Sequence, residues 1–345
     1  MVPRATTNGG LALPSTAAAM GFLRGLGDPI IDLQLALRSG AAPAEVRGLR
    51  EAVFATPLIA SALEAQHSDG SWGGDDDSRR RVLSTLWMTK ALAELGLDDT
   101  HPGWHDAVEF LAERSHTVSG VLGLDGRDAS VLSCYAGIAA ELYLLGGRAD
   151  LARPQIDWIK DYQDISVSGA SRRCRPAQEW DERLSTRYGG CLADTTCLIG
   201  LIKTGRALAA WSAQQAEPDA DADELVEAIR EVYLERRLMY RTNGEIVPNG
   251  VYGAEPDRWL QPTYPLDWHT DLIEVLDFVA RTGSLDQRMQ PAIDELMKAQ
   301  LPDGTWPLRQ TFRPPELPAP ERRSRSRGSP MVTLRAVVAL DACGV

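Results

Sequence analysis

The chain has 345 residues, of which 44% are hydrophobic and 24% charged, a composition typical of a folded globular protein with a sizeable core. Asp and Glu total 48 against 36 Lys and Arg, which gives a formal net charge of −12. A surface of that sign repels phosphate backbones, so we expect no nucleic-acid partner, and no apolar run is long enough to predict a membrane span.

Helical periodicity dominates the chain, and the period-two alternation typical of strands is nearly absent. Apolar residues recur every fourth position from Leu83 to Leu95, which makes one continuous face. Four such segments run up to a glycine, a common helix stop: 83–95, 131–145, 194–204 and 272–282. Shorter amphipathic segments bring the total to about a dozen helices: 28–37, 43–55, 57–66, 107–114, 155–163, 225–238, 292–300 and 332–340.

Two near-identical turns follow predicted helices, at 66–72 and at 300–306. Both read Gln, three residues, Gly, one residue and Trp. The Asp-Gly pair inside each segment favours a reverse turn. We expect Trp72 and Trp306 to fold back over the helix ends as buried staples.

The helix-and-turn unit recurs in a weaker form after Arg114 and Gln163, where the Trp is lost. Helix pairs joined in this way must bury their faces against neighbouring pairs, because no strand is predicted between them. This arrangement predicts either an open solenoid or a ring closed on itself.

The two Gln-x-x-x-Gly-x-Trp turns resemble the QW repeat of squalene–hopene cyclases and related terpene cyclases, whose α/α-toroid fold is shared with protein prenyltransferase β subunits. A group of bacterial squalene-cyclase-like proteins of about this length is similar over most of residues 45–345. The resemblance implies an all-α fold in which residues 45–345 form a single α/α toroid, a closed barrel of about six helix pairs. The N-terminal segment 1–44 is expected to add one helix packed on the toroid.

The motifs that carry the chemistry of those families are altered in this chain. No Asp-x-Asp-Asp acid motif stands in a mid-chain helix, and the nearest acidic run, 75–77, lies in a predicted loop. Protein prenyltransferases bind zinc through Asp-x-Cys, and the segment compared with that motif, from Asp194 to Cys197, has one residue too many between its Asp and its Cys. The resemblance therefore predicts the fold, and the reaction has to be argued from individual residues.

Cysteines form the first candidate site. Cys134, Cys174 and Cys191 each lie on a connection that enters a predicted helix. A helix N-terminus favours the thiolate, because its N–H groups carry partial positive charge. Three thiolates meeting on one rim would hold Zn²⁺, with the fourth position either open for water or substrate or closed by His269 or Asp194. The alternative is that these thiols are small buried apolar groups.

The second candidate site directly precedes an apolar helix. Tyr264, His269 and Asp271 offer a phenol, an imidazole and a carboxylate, and we expect them to act as catalytic groups at the cavity mouth. Burial against Trp268 would favour a protonated carboxyl that donates a proton. The alternative is that Thr270 or Asp271 caps the helix while the other side chains pack.

Five side chains are predicted to contact the substrate. Trp268 and Trp87 supply ring faces, which attract cations, and Arg335 is expected to face the cavity from the last helix. Asp75 and Asp76 would hold a diphosphate through Mg²⁺, with capping of the next helix as the favoured alternative.

Three functions follow from these sites. The first is a terpene-cyclase-like enzyme that acts on an apolar or isoprenoid substrate in the toroid cavity, by acid-initiated or cation-stabilised cyclisation. The second is a transferase or lyase with a zinc–thiolate centre, which makes Zn²⁺ the expected cofactor ahead of Mg²⁺. The third is a toroid that binds or scaffolds without catalysis.

Two further expectations concern the chain as a whole. The arginine- and proline-rich segment 313–330 is predicted to be a flexible loop, with closure over an anionic substrate as the alternative. We expect a cytoplasmic protein, and a badly formed export signal at the N-terminus is the alternative.

Overall fold

The computed structural model describes residues 16–74, 78–123, 126–127, 130–163, 165, 197–247 and 258–345, with only the backbone of residues 78–79. Within these ranges it contains 13 α-helices and no strand beyond isolated bridges, which confirms the predicted all-α fold. The helices are α1 (Thr16–Arg24), α2 (Pro29–Ser39), α3 (Pro43–Phe54), α4 (Pro57–Glu64), α5 (Ser78–Glu94), α6 (Pro102–Ser115), α7 (Ser133–Leu145), α8 (Ala149–Tyr162), α9 (Leu198–Gln214), α10 (Ala220–Glu235), α11 (Leu272–Arg281), α12 (Gln290–Lys298) and α13 (Pro330–Ala342).

Inner helices, which line a central cavity, are separated along the chain by outer helices that do not line it. Among the described helices, one outer helix lies between successive inner helices, except for α3 and α4, which both lie between α2 and α5. The six inner helices each contribute side chains to its wall, and they are α2, α5, α7, α9, α11 and α13. Helix α1 packs against α13, so the first and last described helices meet and the arrangement is a ring rather than an open solenoid. None of the helices in the described ranges combines the length and the apolarity that crossing a bilayer requires.

The N-terminal part of the chain differs from the expectation of one helix in residues 1–44. Both α1 and α2 lie in that segment, and α2 lines the central cavity through Gln34 and Arg38. The predicted division at residue 44 would also fall inside α3. The apolar face of α2 explains this, because Ile31 and Leu33 are buried in the same core as the rest of the ring.

Polar caps and prolines define where several helices begin. Asp28 before α2, Thr56 before α4 and Ser329 before α13 each accept a hydrogen bond from a backbone N–H of the first turn. Proline follows directly after each of these caps, at a position whose N–H would have no partner inside the helix. These local signals fix the starts of two inner helices, α2 and α13, and therefore the direction in which their side chains meet the cavity.

The turns at 66–72 and 300–306 have the same hydrogen bonds. Each Gln side chain donates to the carbonyl of the turn glycine, over 2.9 Å at Gln66 and 2.7 Å at Gln300. Both indoles are fully buried, and each N–H donates to a carbonyl of the preceding helix, over 2.7 Å at Trp72 and 2.8 Å at Trp306. The tryptophans thus fasten the end of an outer helix to the start of an inner one.

The same backbone turn recurs at 117–121 and 241–245. In each copy the first residue donates its N–H to the carbonyl of the fifth, over 2.8 Å and 2.6 Å. The fourth residue is a glycine in the left-handed region, with φ of 81° at Gly120 and 84° at Gly244. Sequence reasoning missed the copy at 241–245, because it has neither the Gln nor the Trp, and the turn expected after Gln163 lies outside the described residues.

The segment 313–330, predicted to be flexible, is anchored at several points. Leu317 is fully buried, and the Glu321 carboxylate accepts hydrogen bonds from the Ser329 hydroxyl and, over 2.8 Å, from the Met331 N–H. The Glu321 side chain thereby caps the first turn of α13. This contact explains why a segment rich in arginine and proline takes up a defined course over the ring.

His116 provides a pH-dependent contribution to stability that can be measured. Its Nε2 lies 2.8 Å from the Tyr143 hydroxyl, and burial lowers its pKa from 6.5 to about 4. Between those values the unfolded chain takes up a proton that the folded chain does not, so stability falls as the pH drops. From pH 6.5 to pH 4, we expect the free energy of unfolding to fall by about 1–2 kcal/mol more in the wild type than in His116→Gln, measured by urea denaturation. Parallel pH profiles of the two proteins would contradict this assignment.

Candidate functional site

The inner helices surround a cavity of about 450 Å³. That volume falls in the range of small-molecule sites, roughly 300–1,000 Å³. Aliphatic side chains from α7, α11 and α13 form much of its wall. The cationic side chains of the wall are Arg38, Lys90, Arg206 and Arg335. The acidic ones are Glu94, Glu141, Glu274 and Asp277.

A buried ion pair lies beside the cavity. The Lys203 Nζ on α9 lies 2.8 Å and 2.6 Å from the two carboxylate oxygens of Glu274 on α11, and neither side chain is more than 2% exposed. Arg206 connects this pair to the wall, because its guanidinium reaches Glu274 over 3.3 Å and Glu141 over 3.0 Å. The cavity therefore has a preorganised row of alternating charges at one side.

The charges of this network hold Glu274 as a carboxylate. Burial acts to raise the pKa of Glu274, but the positive charges of Lys203 and Arg206 outweigh it and leave the pKa below its usual range. Sequence reasoning missed both partners of the buried pair. The one sequence signal was a lysine in the middle of an apolar helix, at Lys203, since buried lysines are rarely found without a partner.

Most cations of the wall are already neutralised by the protein. Lys90 pairs with Glu94 within α5, Arg206 pairs with Glu141 and Glu274, and Arg335 pairs with Asp271. Among the described residues, Arg38 alone of the wall cations makes no ion pair. The wall thus offers one unpaired positive charge, close to the charge of Asp277.

Asp271 lies at the start of α11, fully buried and off the cavity wall. Its carboxylate accepts hydrogen bonds from the backbone N–H groups of Glu274 and Thr263, each over 3.0 Å. The Arg335 guanidinium donates two more, over 3.0 Å and 2.8 Å. Asp271 therefore caps the helix, which is the alternative weighed from the sequence, and it also binds Arg335, which the sequence did not predict. A catalytic role for Asp271 stays a prediction.

His269 and the two tryptophans predicted to bind substrate lie away from the cavity wall. The His269 ring is stacked between Trp268, at 3.7 Å, and Phe312, at 3.6 Å, and its Nδ1 lies 2.5 Å from Asp267. Trp87 packs edge-on against a tyrosine in the next inner helix. The wall therefore lacks the predicted indole faces, and Tyr264 is its one aromatic side chain among the described residues.

Tyr264 and Arg335 are the predicted site residues that the structure brings to the cavity wall. Tyr264 is only 1% exposed, and its hydroxyl makes no hydrogen bond with the described residues. Burial, reinforced by the charge of Glu94, raises the pKa of Tyr264 well above its ordinary value, so the phenol keeps its proton. The Oε2 atom of Glu94 is likewise buried without a partner.

The predicted metal sites lie largely outside the described residues. Cys134 is buried at the start of α7, whereas Cys174, Cys191, Asp75 and Asp76 fall in the ranges that the structure leaves out. In the ranges that are described, no group of three or more His, Cys, Asp or Glu side chains is placed to hold a metal ion. Zinc binding and magnesium binding therefore stay predictions.

Comparison with known proteins gives no family assignment. The chain matches no protein-family profile and no curated protein. One similar solved structure is a protein from Actinoplanes, with 17% identity and a TM-score of 0.43 over 95% of this chain and 89% of the other. Another is the type II terpene cyclase MstE from Scytonema, with 16% identity and a TM-score of 0.31 over 83% of this chain and 95% of the other. These likenesses are distant, and the family resemblance drawn from the QW-like turns stays a prediction.

Proposed function

We propose that this chain takes an apolar or isoprenoid small molecule into the cavity of its helical ring and acts on it there. The observation that carries the proposal is the convergence of six inner helices on one 450 Å³ cavity with aliphatic walls and internally paired charges. Burial of an apolar substrate surface against such walls contributes about 25 cal/mol per Å². The aliphatic wall therefore favours an apolar body over a polar one.

The charge distribution favours a neutral substrate over a prenyl diphosphate. Three of the four cations on the wall already pair with carboxylates, which leaves Arg38 as the one unpaired positive charge among the described residues. A diphosphate carries several negative charges and would have to displace those carboxylates or face them directly. Both alternatives cost electrostatic free energy in a partly enclosed site.

Glu94 is the carboxyl that we propose for proton exchange with the substrate, in place of Asp271. It lines the cavity and keeps one buried oxygen without a partner. Asp271 accepts four hydrogen bonds and has no place on the wall. A proton-transfer group has to come within hydrogen-bonding reach of the substrate, and of these two carboxylates Glu94 is the one that lines the cavity.

Filling the cavity tests whether the substrate binds there. Ala210 lies on the cavity wall in α9, so Ala210→Trp should weaken binding of geraniol by at least about tenfold, measured by calorimetric titration. Ala213 lies on the exposed side of the same helix, and Ala213→Trp is the matched control with unchanged affinity. Equal affinities of the two variants, or the absence of binding to the wild type, would contradict the proposal.

A further inference from the structure

The ion pair between Glu141 and Arg206 lies on the cavity wall and is open to the cavity. Both residues line the cavity, and their side chains are 22% and 39% exposed. They come from two successive inner helices, α7 and α9, and the Arg206 Nε donates to Oε1 of Glu141 over 3.0 Å. A molecule in the cavity can therefore contact both partners of this pair directly.

Each partner keeps one polar atom free beside that contact. Nη2 of Arg206 and Oε2 of Glu141 make no hydrogen bond within the described part of the chain, and both keep accessible surface. Nη2 shares its carbon atom with Nε, and Oε2 shares its carbon atom with Oε1, so the 3.0 Å contact holds the two free atoms near each other. Nη2 can only donate, and the carboxylate oxygen can only accept. The pair thus presents a donor and an acceptor to the same ligand.

The buried charges behind the pair fix its position. Nη1 of Arg206 donates to Glu274 over 3.3 Å, and Glu274 pairs with the fully buried Lys203 over 2.6 Å. Two cations and two carboxylates make up this network, so its formal charge is zero. Because Arg206 is held at both Nε and Nη1, its Nη2 group is oriented before a ligand arrives, which lowers the ordering cost of binding.

A neutral group that both donates and accepts fits this arrangement. A hydroxyl accepts a proton from Nη2 of Arg206 and donates its own proton to Oε2 of Glu141, so both free atoms gain a charge-assisted hydrogen bond. A carboxylate head group would be repelled by Glu141 and Glu274, and an ammonium head group would be repelled by Arg206.

We propose that Glu141 and Arg206 form the head-group subsite of the cavity and select a neutral hydroxyl over a charged head group. The subsite rests on the proposed function, because it orients a substrate whose body is bound by the aliphatic wall. Its role is specificity: each member of the pair rejects the ion that the other would attract.

Three ligands with the same carbon chain test this selection: geraniol, geranic acid and geranylamine, of which the last two are ionised at neutral pH. By calorimetric titration, the wild type should bind geraniol at least about tenfold more tightly than either ion. Glu141→Gln leaves the guanidinium charge in excess and should raise the affinity for geranic acid about tenfold. Arg206→Gln leaves the carboxylate charge in excess and should raise the affinity for geranylamine by a similar factor.

Geraniol separates direct contact from a change in the electric field of the cavity. It is neutral, so a change of charge alone leaves its affinity unchanged. The subsite predicts a loss of about two- to fivefold in each variant, because a neutral amide replaces an ion as hydrogen-bond partner. The double variant Glu141→Gln with Arg206→Gln restores the charge balance, so the preference between the two ions should return to the wild-type value while the affinity for geraniol stays low.

Glu109→Gln and Arg148→Gln are the matched controls. These residues form an ion pair away from the cavity wall, so the same changes of charge should leave all three affinities within about twofold of the wild type. Equal affinity of the wild type for the three ligands, or an unchanged affinity for geraniol in Glu141→Gln and Arg206→Gln, would overturn the subsite while cavity binding stood. Failure of the wild type to bind any of the three would overturn the subsite together with the proposed function.

Discussion

Replacement of Lys203 by methionine should lower the free energy of unfolding by about 3–5 kcal/mol. The substitution leaves the Glu274 carboxylate, at most 3% exposed, without the ammonium group that lies 2.6 Å away. Arg206 stays 3.3 Å from one of its oxygens and compensates in part. An unpaired charge beside an apolar core is among the most destabilising changes known for single substitutions. Urea denaturation at neutral pH, followed by circular dichroism, measures the loss.

Two further variants separate the buried charge from lost packing. The double variant Lys203→Met with Glu274→Met replaces both charges by apolar groups, and it should recover most of the stability lost in the single variant. Lys298→Met removes a cation that is 68% exposed and paired with Glu295, and it should change stability by less than about 0.5 kcal/mol. A double variant as unstable as the single one would show that packing, not charge, holds α9 to α11.

The fold could be predicted because its determinants are local. The helix period, the glycine stops at Gly96, Gly146 and Gly283 and the two Gln-x-x-x-Gly-x-Trp turns each lie within a few residues of the backbone that they shape. The fourth predicted stop, Gly205, was wrong, because α9 continues through it to Gln214. The turn at 241–245 shows the limit of such patterns. It keeps the glycine and the backbone hydrogen bonds, but it lacks the Gln and Trp side chains by which the unit can be identified in a sequence.

The site could be predicted only in part because its contacts are distant in sequence. Lys203 and Glu274 lie 71 residues apart in the sequence, and no pattern in either helix indicates which residue of the other helix is its partner. Trp87 and Trp268, which we predicted to contact the substrate, are not among the residues that line the cavity. Two other tryptophans make hydrogen bonds that link separate segments of the chain. The indole of Trp259 donates to the Leu238 carbonyl over 3.0 Å, and that of Trp211 donates to Asp219 over 2.9 Å. These two tryptophans therefore stabilise contacts between segments of the fold and do not line the cavity.

Asp271→Asn should lower the free energy of unfolding by about 3 kcal/mol, which tests whether Asp271 is a structural anchor or a catalytic acid. Asparagine still offers one acceptor oxygen to the N–H of Glu274, so the helix cap survives. Its NH₂ group, however, replaces Oδ2, so the N–H of Thr263 and the Nη1 group of Arg335 lose that acceptor in a buried position. Chemical denaturation measures the stability, and titration with geraniol measures the affinity of the folded fraction.

The matched control is Asp28→Asn. Asp28 also caps an inner helix, over 2.8 Å to the N–H of Ile30, and it makes no ion pair with the described residues. Since asparagine and aspartate cap helices about equally well, this change should cost less than about 0.5 kcal/mol. A large loss at Asp271 beside a small one at Asp28 assigns the cost to the ion pair with Arg335. If Asp271→Asn instead keeps its stability and loses turnover of the bound substrate, then Asp271 is the proton donor that the sequence predicted, and Glu94 is not.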